Sequence, residues 1–217
     1  MPRSSDPRVI LEEQLRAREL FDERVFEAMA RVPRELFVPE QIRGHAYDDA
    51  ALPIGWDQTI SQPVIVAYIC ALLQLRGDER VLDVGTGSGY QAAVLAELAG
   101  EVHTIERLPE LAEQARANLE VAGYGARVVV HVGDGTLGDP EHAPFAAIAV
   151  GAAAPEPPKA LYEQLAVGGR LVVPLGDRRD QLLTLVVRGE VGPELKRSVP
   201  CRFVPLIGEQ GFPAGRW

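Results

Sequence analysis

The sequence predicts an α/β fold: a doubly wound, mostly parallel seven-stranded sheet with N-terminal helices and an antiparallel strand near the C-terminus. Three observations point there. From Arg80 onward, short apolar runs alternate with amphipathic runs of helical length, the pattern of βαβ units. The first such run, RVLDVG, feeds directly into the glycine-rich GTGSGY and then the helical QAAVLAELA. The last two apolar runs, QLLTLVVRG and KRSVPCRFVPLIG, follow one another with no helix between them. A hairpin-like turn near EVGPE then makes one of the two antiparallel.

Taken in order, residues 8 to 31 place Val9, Leu11, Leu15, Leu20, Phe21, Val25 and Met29 at helical spacing. This predicts one or two amphipathic helices ending before VPRELFVPE. AYDDAALPIGWDQTIS clusters Pro, Gly and Asp and reads as a loop. A helix over 62–75 follows, with Ser61 as its N-cap and Pro63 in its first turn. EVHTIER, ARVVVHVGDG and FAAIAVGAAA are the next strands, the first two separated by the helix PELAEQARANLEVAG. PKALYEQLA is a helix, and GGRLVVPLG the strand after it. No repeat or low-complexity linker interrupts the chain, so one domain is expected over 1–217. Within it, 1–60 supply helices and a substrate-side loop, and 61–217 form the α/β core. The loops after Val84, Ile105, Val132 and Val150 should share one sheet edge, where such folds bind ligands.

Composition narrows the function. A formal net charge of −9 over 217 residues, with no basic cluster, argues against a nucleic-acid partner. The longest apolar runs, VIVAYICALL and AAIAVGAAA, are too short to span a bilayer, and the N-terminus lacks a signal-peptide core. A cytoplasmic protein without a membrane partner is expected. Cys70 and Cys201 have no CxxC partner and read as buried thiols. His45, His103, His131 and His142 match no metal-ligand spacing, so no metal is expected.

VLDVGTGSGY is the most informative segment. Glycines at 85, 87 and 89 permit a tight strand-to-helix turn and close approach of a ligand to the backbone. Their G-x-G-x-G spacing differs from the dinucleotide G-x-G-x-x-G and lacks the Gly-Lys-Ser/Thr of a P-loop. It resembles motif I of the class I S-adenosylmethionine (SAM) methyltransferases. Glu106, at the end of the second strand, suits a nucleoside's ribose hydroxyls. Asp134, before Gly135, suits an adenine amino group; a plain Asp-Gly turn is the simpler alternative.

RVPRELFVP, AYDDAALPIG, QTISQP, VLDVGTGSGYQAAVLAEL, VGDG, VGAAAPEPPKALYEQLAVGGRLVVPLG and RFVPL occur in this order. Together they resemble the protein-L-isoaspartate O-methyltransferases, from Val32 to Leu206. The resemblance implies a Rossmann-like enzyme using SAM, with S-adenosyl-L-homocysteine as product. It would methylate isoaspartyl-containing peptides and proteins, and a monomer is expected. It places the cofactor at Asp83, Gly85, Thr86, Gly87, Ser88, Gly89, Glu106, Asp134 and Gly135. Ser61 takes the catalytic position, with Thr59, Ile60, Gln62, Val150, Gly151 and Ala152 beside the substrate. The loop 46–56 and the strip VGAAAPEP are candidates for a peptide groove, covered by Tyr47 or Trp56. VPLIG is expected to fold back near the site.

Three positions depart from the family pattern: Asp57 for a frequent Gly, Ala146 for Asp, and Ile207 for a frequent Thr. A catalytically silent SAM-binding homologue and a small-molecule methyltransferase are the alternatives. GAAAPEPP stands where nucleic-acid amino-methylating enzymes carry Asn/Asp-Pro-Pro-Tyr/Phe.

Overall fold

The computed structural model describes residues 7–16 and 22–215, so Leu20 and Phe21 of the helical pattern lie outside the described residues. The N-terminal periodicity resolves into two helices, α1 (Pro7–Arg16) and α2 (Glu23–Arg31). Asp22 caps α2 by accepting the Arg24 N–H at 3.1 Å, a contact worth about 1 kcal/mol. Leu11, Leu15, Val25, Phe26 and Met29 are buried, whereas Val9 is exposed.

The segment read as a loop contains a small hairpin, β1 (Leu52–Gly55) and β2 (Gln58–Ile60). Its strands are too short to show a period-2 signal. Its two-residue turn holds Trp56 at φ 50° and Asp57 at φ 56°. That is the left-handed region a tight hairpin turn needs, and it explains the glycine frequent in the family at position 57. Asp is among the few other residues that tolerate it.

Helix α3 (Pro63–Leu73) starts later than expected. Its N-cap is Gln62, not Ser61, and Gln62 makes no side-chain cap bond. Asp49 substitutes from the preceding loop: its Oδ1 accepts the Val64 N–H at 3.3 Å, and its carbonyl accepts from Gln62 Nε2 at 3.0 Å. Ile65 and Val66 donate to the Gln62 carbonyl, and Pro63 has no N–H. The first turn of α3 is thus satisfied internally. The expected cap at Ser61 is corrected.

The main sheet follows the predicted alternation: β3 (Arg80–Val84), α4 (Tyr90–Leu98), β4 (Glu101–Glu106), α5 (Pro109–Val121), β5 (Val128–Val132), β6 (Phe145–Val150), α6 (Lys159–Glu163), β7 (Leu165–Gly176), β8 (Gln181–Arg188) and β9 (Pro193–Cys201). The strand order is β5-β4-β3-β6-β7-β8-β9. The first five are parallel; β8 runs antiparallel to both β7 and β9. Helix α6 ends at Glu163, sooner than the sequence suggested, because Leu165 already pairs with Phe145 in the sheet. The final strand is also shorter. Gln181 accepts the Phe203 N–H at 2.8 Å where the chain leaves the sheet. Residues 204–206 then bond to Ala153 instead.

Alternation along the strands divides the core. Val81, Val102, Ala147, Ala149 and Val172 face α2 to α5, while Leu82, Val84, Ile148, Val150 and Leu171 face α6 and the C-terminal segment. Fully buried members such as Leu82 and Ile148 contribute about 1.5–3 kcal/mol each. The chain reverses direction between β3 and β6, the position that creates a crevice at the strand ends.

Candidate active site

Four of the parallel strands, β5, β4, β3 and β6, end in register. Val84 lies beside both Ile105 and Val150, and Glu106 beside Val132. Their loops meet, as the sequence implied, around an open cleft of about 690 Å³. Gly85 and Gly87 form one wall, Glu106 to Leu108 another, and Gly135, Gly151 and Ala152 line the base. Val204, Pro205, Leu206 and Ile207 close the remaining side. They are held there by the bonds Ala153 N–H to Val204 carbonyl (2.8 Å) and Leu206 N–H to Ala153 carbonyl (2.7 Å). A second recess of about 360 Å³ shares Thr59, Gly85, Gly87 and Gly151 with the cleft and is bordered by Ile60, Ser61, Thr86, Ser88 and Gln91.

The glycine loop is shaped by conformation. Gly85, Gly87 and Gly89 all have positive φ, at 90°, 55° and 92°. Gly85 and Gly151 approach across the cleft floor, where a Cβ on Gly151 would lie 3.3 Å from the Gly85 carbonyl oxygen. Gly89 serves a different purpose: it N-caps α4, and a Cβ there would press on Leu119 at 3.1 Å. Asn118 Nδ2 donates to the Ser88 carbonyl at 3.0 Å and anchors the loop from α5.

Glu106 is nearly buried, and its two carboxylate oxygens accept the Gly87 and Leu108 N–H groups, each at 3.0 Å. A carboxylate has about four lone-pair directions, so two remain for hydroxyls in the cleft. Asp83 does not reach the cleft. It is fully buried and accepts from Gln91 Nε2 (2.7 Å) and Thr104 Oγ1 (3.0 Å), with Thr104 also bonded to Thr86 (2.7 Å). Burial pushes its carboxyl up to about 7, against the charge-favouring hydrogen bonds of Gln91 and Thr104. Asp83 therefore positions Gln91 and Thr86 from beneath. Asp134 accepts from the Thr136 N–H (2.9 Å), the Thr136 hydroxyl (2.7 Å) and the Glu209 N–H (2.8 Å). Although burial opposes ionisation, these bonds hold its carboxyl below the usual range. It ties down the C-terminal wall, while Gly135 lines the cleft.

On the Ser61 side, the half-buried serine borders the recess and its hydroxyl makes no hydrogen bond among the described residues. Its carbonyl accepts from Arg34 Nη2 at 2.8 Å. Arg34 is wholly buried, also donates to the Ala46 carbonyl at 2.7 Å, and stacks its guanidinium 4.6 Å from the Tyr90 ring centroid.

The family described as protein-L-isoaspartate(D-aspartate) O-methyltransferase (PCMT) matches residues 7–211. The chain belongs to this family. A PCMT relative from Aeropyrum pernix, protein-L-isoaspartate O-methyltransferase, is 53% identical over 97% of this chain and 84% of its own. Another from Marinobacter nauticus is 56% identical over 92% of each chain. A solved protein-L-isoaspartate O-methyltransferase superposes with a TM-score of 0.84 at 28% identity, covering 94% of this chain and 67% of that one. A Plasmodium falciparum structure, a putative enzyme of this name in complex with S-adenosyl-L-homocysteine, gives 0.79 at 26% identity, covering 91% and 97%.

Within the PCMT pattern, the structure brings together Thr59, Ile60, Ser61, Gly85, Thr86, Gly87, Ser88, Glu106, Gly135, Gly151 and Ala152 around the two cavities. Asp83, Gly89, Asp134, Gln62 and Val150 line neither. Tyr47 donates its hydroxyl to Glu35 and packs against the core, while Trp56 stands exposed at the hairpin tip. Ala146 is the second residue of β6, at the far end from the cleft, and Ile207 lines the cleft without a hydroxyl. Arg34 and Asn118 were not singled out by sequence reasoning. Arg34 lies within RVPRELFVP, yet nothing in that local pattern separates a buried arginine from a solvated one.

Proposed function

We propose that this chain methylates the α-carboxylate of L-isoaspartyl residues in damaged peptides and proteins, using S-adenosyl-L-methionine and releasing S-adenosyl-L-homocysteine. The methyl ester then cyclises to a succinimide, which hydrolyses in part to normal aspartate, so the reaction initiates repair. The observation that carries the reading is the placement of the unbonded Ser61 hydroxyl beside the Gly85–Gly87 loop. The Glu106 carboxylate lies in the adjoining cleft.

The residues present fit the cofactor. Glu106 would hold the ribose hydroxyls, Ile105, Leu108 and Leu206 would flank the base, and Gly85, Gly87 and Ser88 would leave backbone room for the amino-acid end. S-adenosyl-L-methionine supplies an electrophilic methyl group on a sulfonium. The substrate carboxylate is already ionised at pH 7 and needs no general base. The protein's task is orientation and exclusion of water. Ser61 donates a hydrogen bond to the carboxylate and aims it, while Arg34 fixes the Ser61 backbone from behind. The amides of α3 take no part, since their partners lie within the protein.

The same reading includes a single-domain monomer acting in the cytoplasm, without nucleic-acid or membrane partners. The acidic net charge supports the lack of a nucleic-acid partner, and among the described residues no helix is long and apolar enough to cross a membrane.

The test uses radiolabelled S-adenosyl-L-methionine and matched peptides differing only in Asp or isoAsp at one position. Base-labile label in the isoAsp peptide alone is expected. Cofactor binding without incorporation would overturn the reading in favour of a silent homologue.

A further inference from the structure

Three of the four histidines of this chain, separated by up to 39 positions in sequence, converge on one carboxylate, with His103 and Asp139 buried and His131 and His142 partly exposed. His103 comes from β4, His131 from β5, and Asp139 and His142 from the segment leading into β6. One ligand-capable atom from each lies within 4.8 Å of all the others. Asp139 Oδ2 is 2.8 Å from His142 Nδ1, and 3.5 Å from both His103 Nδ1 and His131 Nε2. His103 Nδ1 and His131 Nε2 are 3.0 Å apart. Ligands at the usual zinc distances of about 2.0–2.1 Å define a tetrahedron with edges of about 3.3–3.4 Å. The observed separations straddle that edge.

The surroundings orient these atoms inward. His103 is almost fully buried, and its Nε2–H donates to Glu101 Oε1 at 2.8 Å, leaving the Nδ1 lone pair aimed at the cluster. A carboxylate behind a ligating imidazole is the arrangement that fixes tautomer and ring orientation at metal sites. Glu101 is itself held by Arg80 Nε at 2.7 Å, and Arg80 also donates to the His142 carbonyl at 3.0 Å. The Asp139 N–H is anchored on Gln164 Oε1 at 2.7 Å.

We propose that His103, His131, Asp139 and His142 form a binding site for one zinc ion, distinct from the cofactor cleft. Three imidazoles and a carboxylate match the ligand preference of zinc, and four protein ligands leave no open position, which marks a structural site. The ion joins β4 and β5 to the 133–144 segment, which carries the cleft-lining Gly135 near its start. Motif spacing does not reveal the site because its ligands come from three separate elements.

The test uses the full chain, stripped with chelator and titrated with zinc, and with cobalt as a spectroscopic probe. One equivalent per chain is expected, with the intense visible absorption of four-coordinate cobalt and a raised Tm on zinc addition. His131→Ala and His142→Ala, both at partly exposed positions, should abolish the cobalt spectrum and the Tm response; His45→Ala should change neither. Glu101→Gln should weaken zinc binding by about 10–100-fold. If the stripped wild-type protein shows no cobalt spectrum and no zinc-dependent Tm, the cluster is a hydrogen-bonded one only and the proposal is wrong. It is equally wrong if the alanine variants at 131 and 142 respond to both metals as the wild type does.

Discussion

The buried guanidinium of Arg34 donates to the carbonyl of Ser61 at 2.8 Å, so the link between β2 and α3 that presents the proposed substrate-orienting hydroxyl is fastened from the core side. Burial lowers the Arg34 pKa, while the neighbouring Tyr90 hydroxyl opposes that shift. Arg34→Met removes two charge-assisted bonds and leaves the Ala46 and Ser61 carbonyls without them. A loss of about 2–4 kcal/mol in urea unfolding is expected. At temperatures where the variant is folded, turnover should fall by a larger factor than affinity for S-adenosyl-L-homocysteine. Equal losses in both would show that Arg34 supports the fold without positioning Ser61.

Ser61 itself makes a sharper test, because its hydroxyl supports no other described residue. Ser61→Ala should leave Tm nearly unchanged and lower turnover on an isoaspartyl peptide by about 10²-fold, the scale for removing one well-placed donor. Cofactor affinity, read by calorimetry, should stay within a few-fold. A helix cap at this position would instead show a stability loss of about 1 kcal/mol on the same substitution.

Glu106 combines two tasks that one substitution exposes. Its oxygens hold the Gly87 and Leu108 N–H groups while facing the cleft. Glu106→Gln replaces one of these acceptors with an amide NH₂ that cannot accept from a backbone donor. Binding of S-adenosyl-L-homocysteine should weaken by at least about 10-fold, since hydrogen bonds to charged groups are worth about 1.5–3 kcal/mol. Unchanged affinity would place the ribose elsewhere.

The strand-and-glycine pattern from Arg80 onward carries both the parallel sheet and the shared edge of Val84, Ile105, Val132 and Val150. Apolar runs and glycines are local signals, and their register follows from the fold class. What escaped the sequence depends on contacts between distant segments. Asp49 caps α3 from another loop, so Ser61 looked like the nearest polar cap. Asp83 and Asp134 lie near the same sheet edge as Glu106, yet only Glu106 opens to the cleft, since Gln91, Thr104 and Glu209 occupy the other two. The histidine cluster is likewise invisible until β4 and β5 lie side by side.

Asp83 predicts a pH dependence. Its carboxyl titrates near 7 in the folded protein against an ordinary value of 3.8, chiefly through burial. Between these values the folded state binds the extra proton, so its contribution to stability is present at low pH and lost as pH rises through about 7. The slope from this one group is at most about 1.4 kcal/mol per pH unit. Asp83→Asn cannot ionise and should remove that slope. Urea unfolding of both proteins from pH 5 to 8 gives the difference, which should narrow toward high pH if Asn is accommodated at the Gln91 and Thr104 contacts less well than the neutral acid. A difference independent of pH would mean that Asp83 stays ionised throughout.

The C-terminal wall of the cleft depends on a close approach at Gly208. A Cβ there would fall 2.0 Å from Asp134 Oδ1 and 2.7 Å from Oδ2, so Gly208→Ala must push the strap away from Asp134. The Glu209 N–H to Asp134 bond at 2.8 Å breaks first, and with it one of the ties on the strap that follows Ile207, leaving the Ala153 bonds to Val204 and Leu206. Overpacking of this kind costs about 1–3 kcal/mol. Affinity for S-adenosyl-L-homocysteine should fall, because Leu206 and Ile207 form one side of the proposed cofactor cleft. Gly215→Ala, where nothing lies within 4 Å, is the control and should behave as wild type. Loss of stability in Gly208→Ala with cofactor affinity intact would separate the strap from cofactor binding altogether.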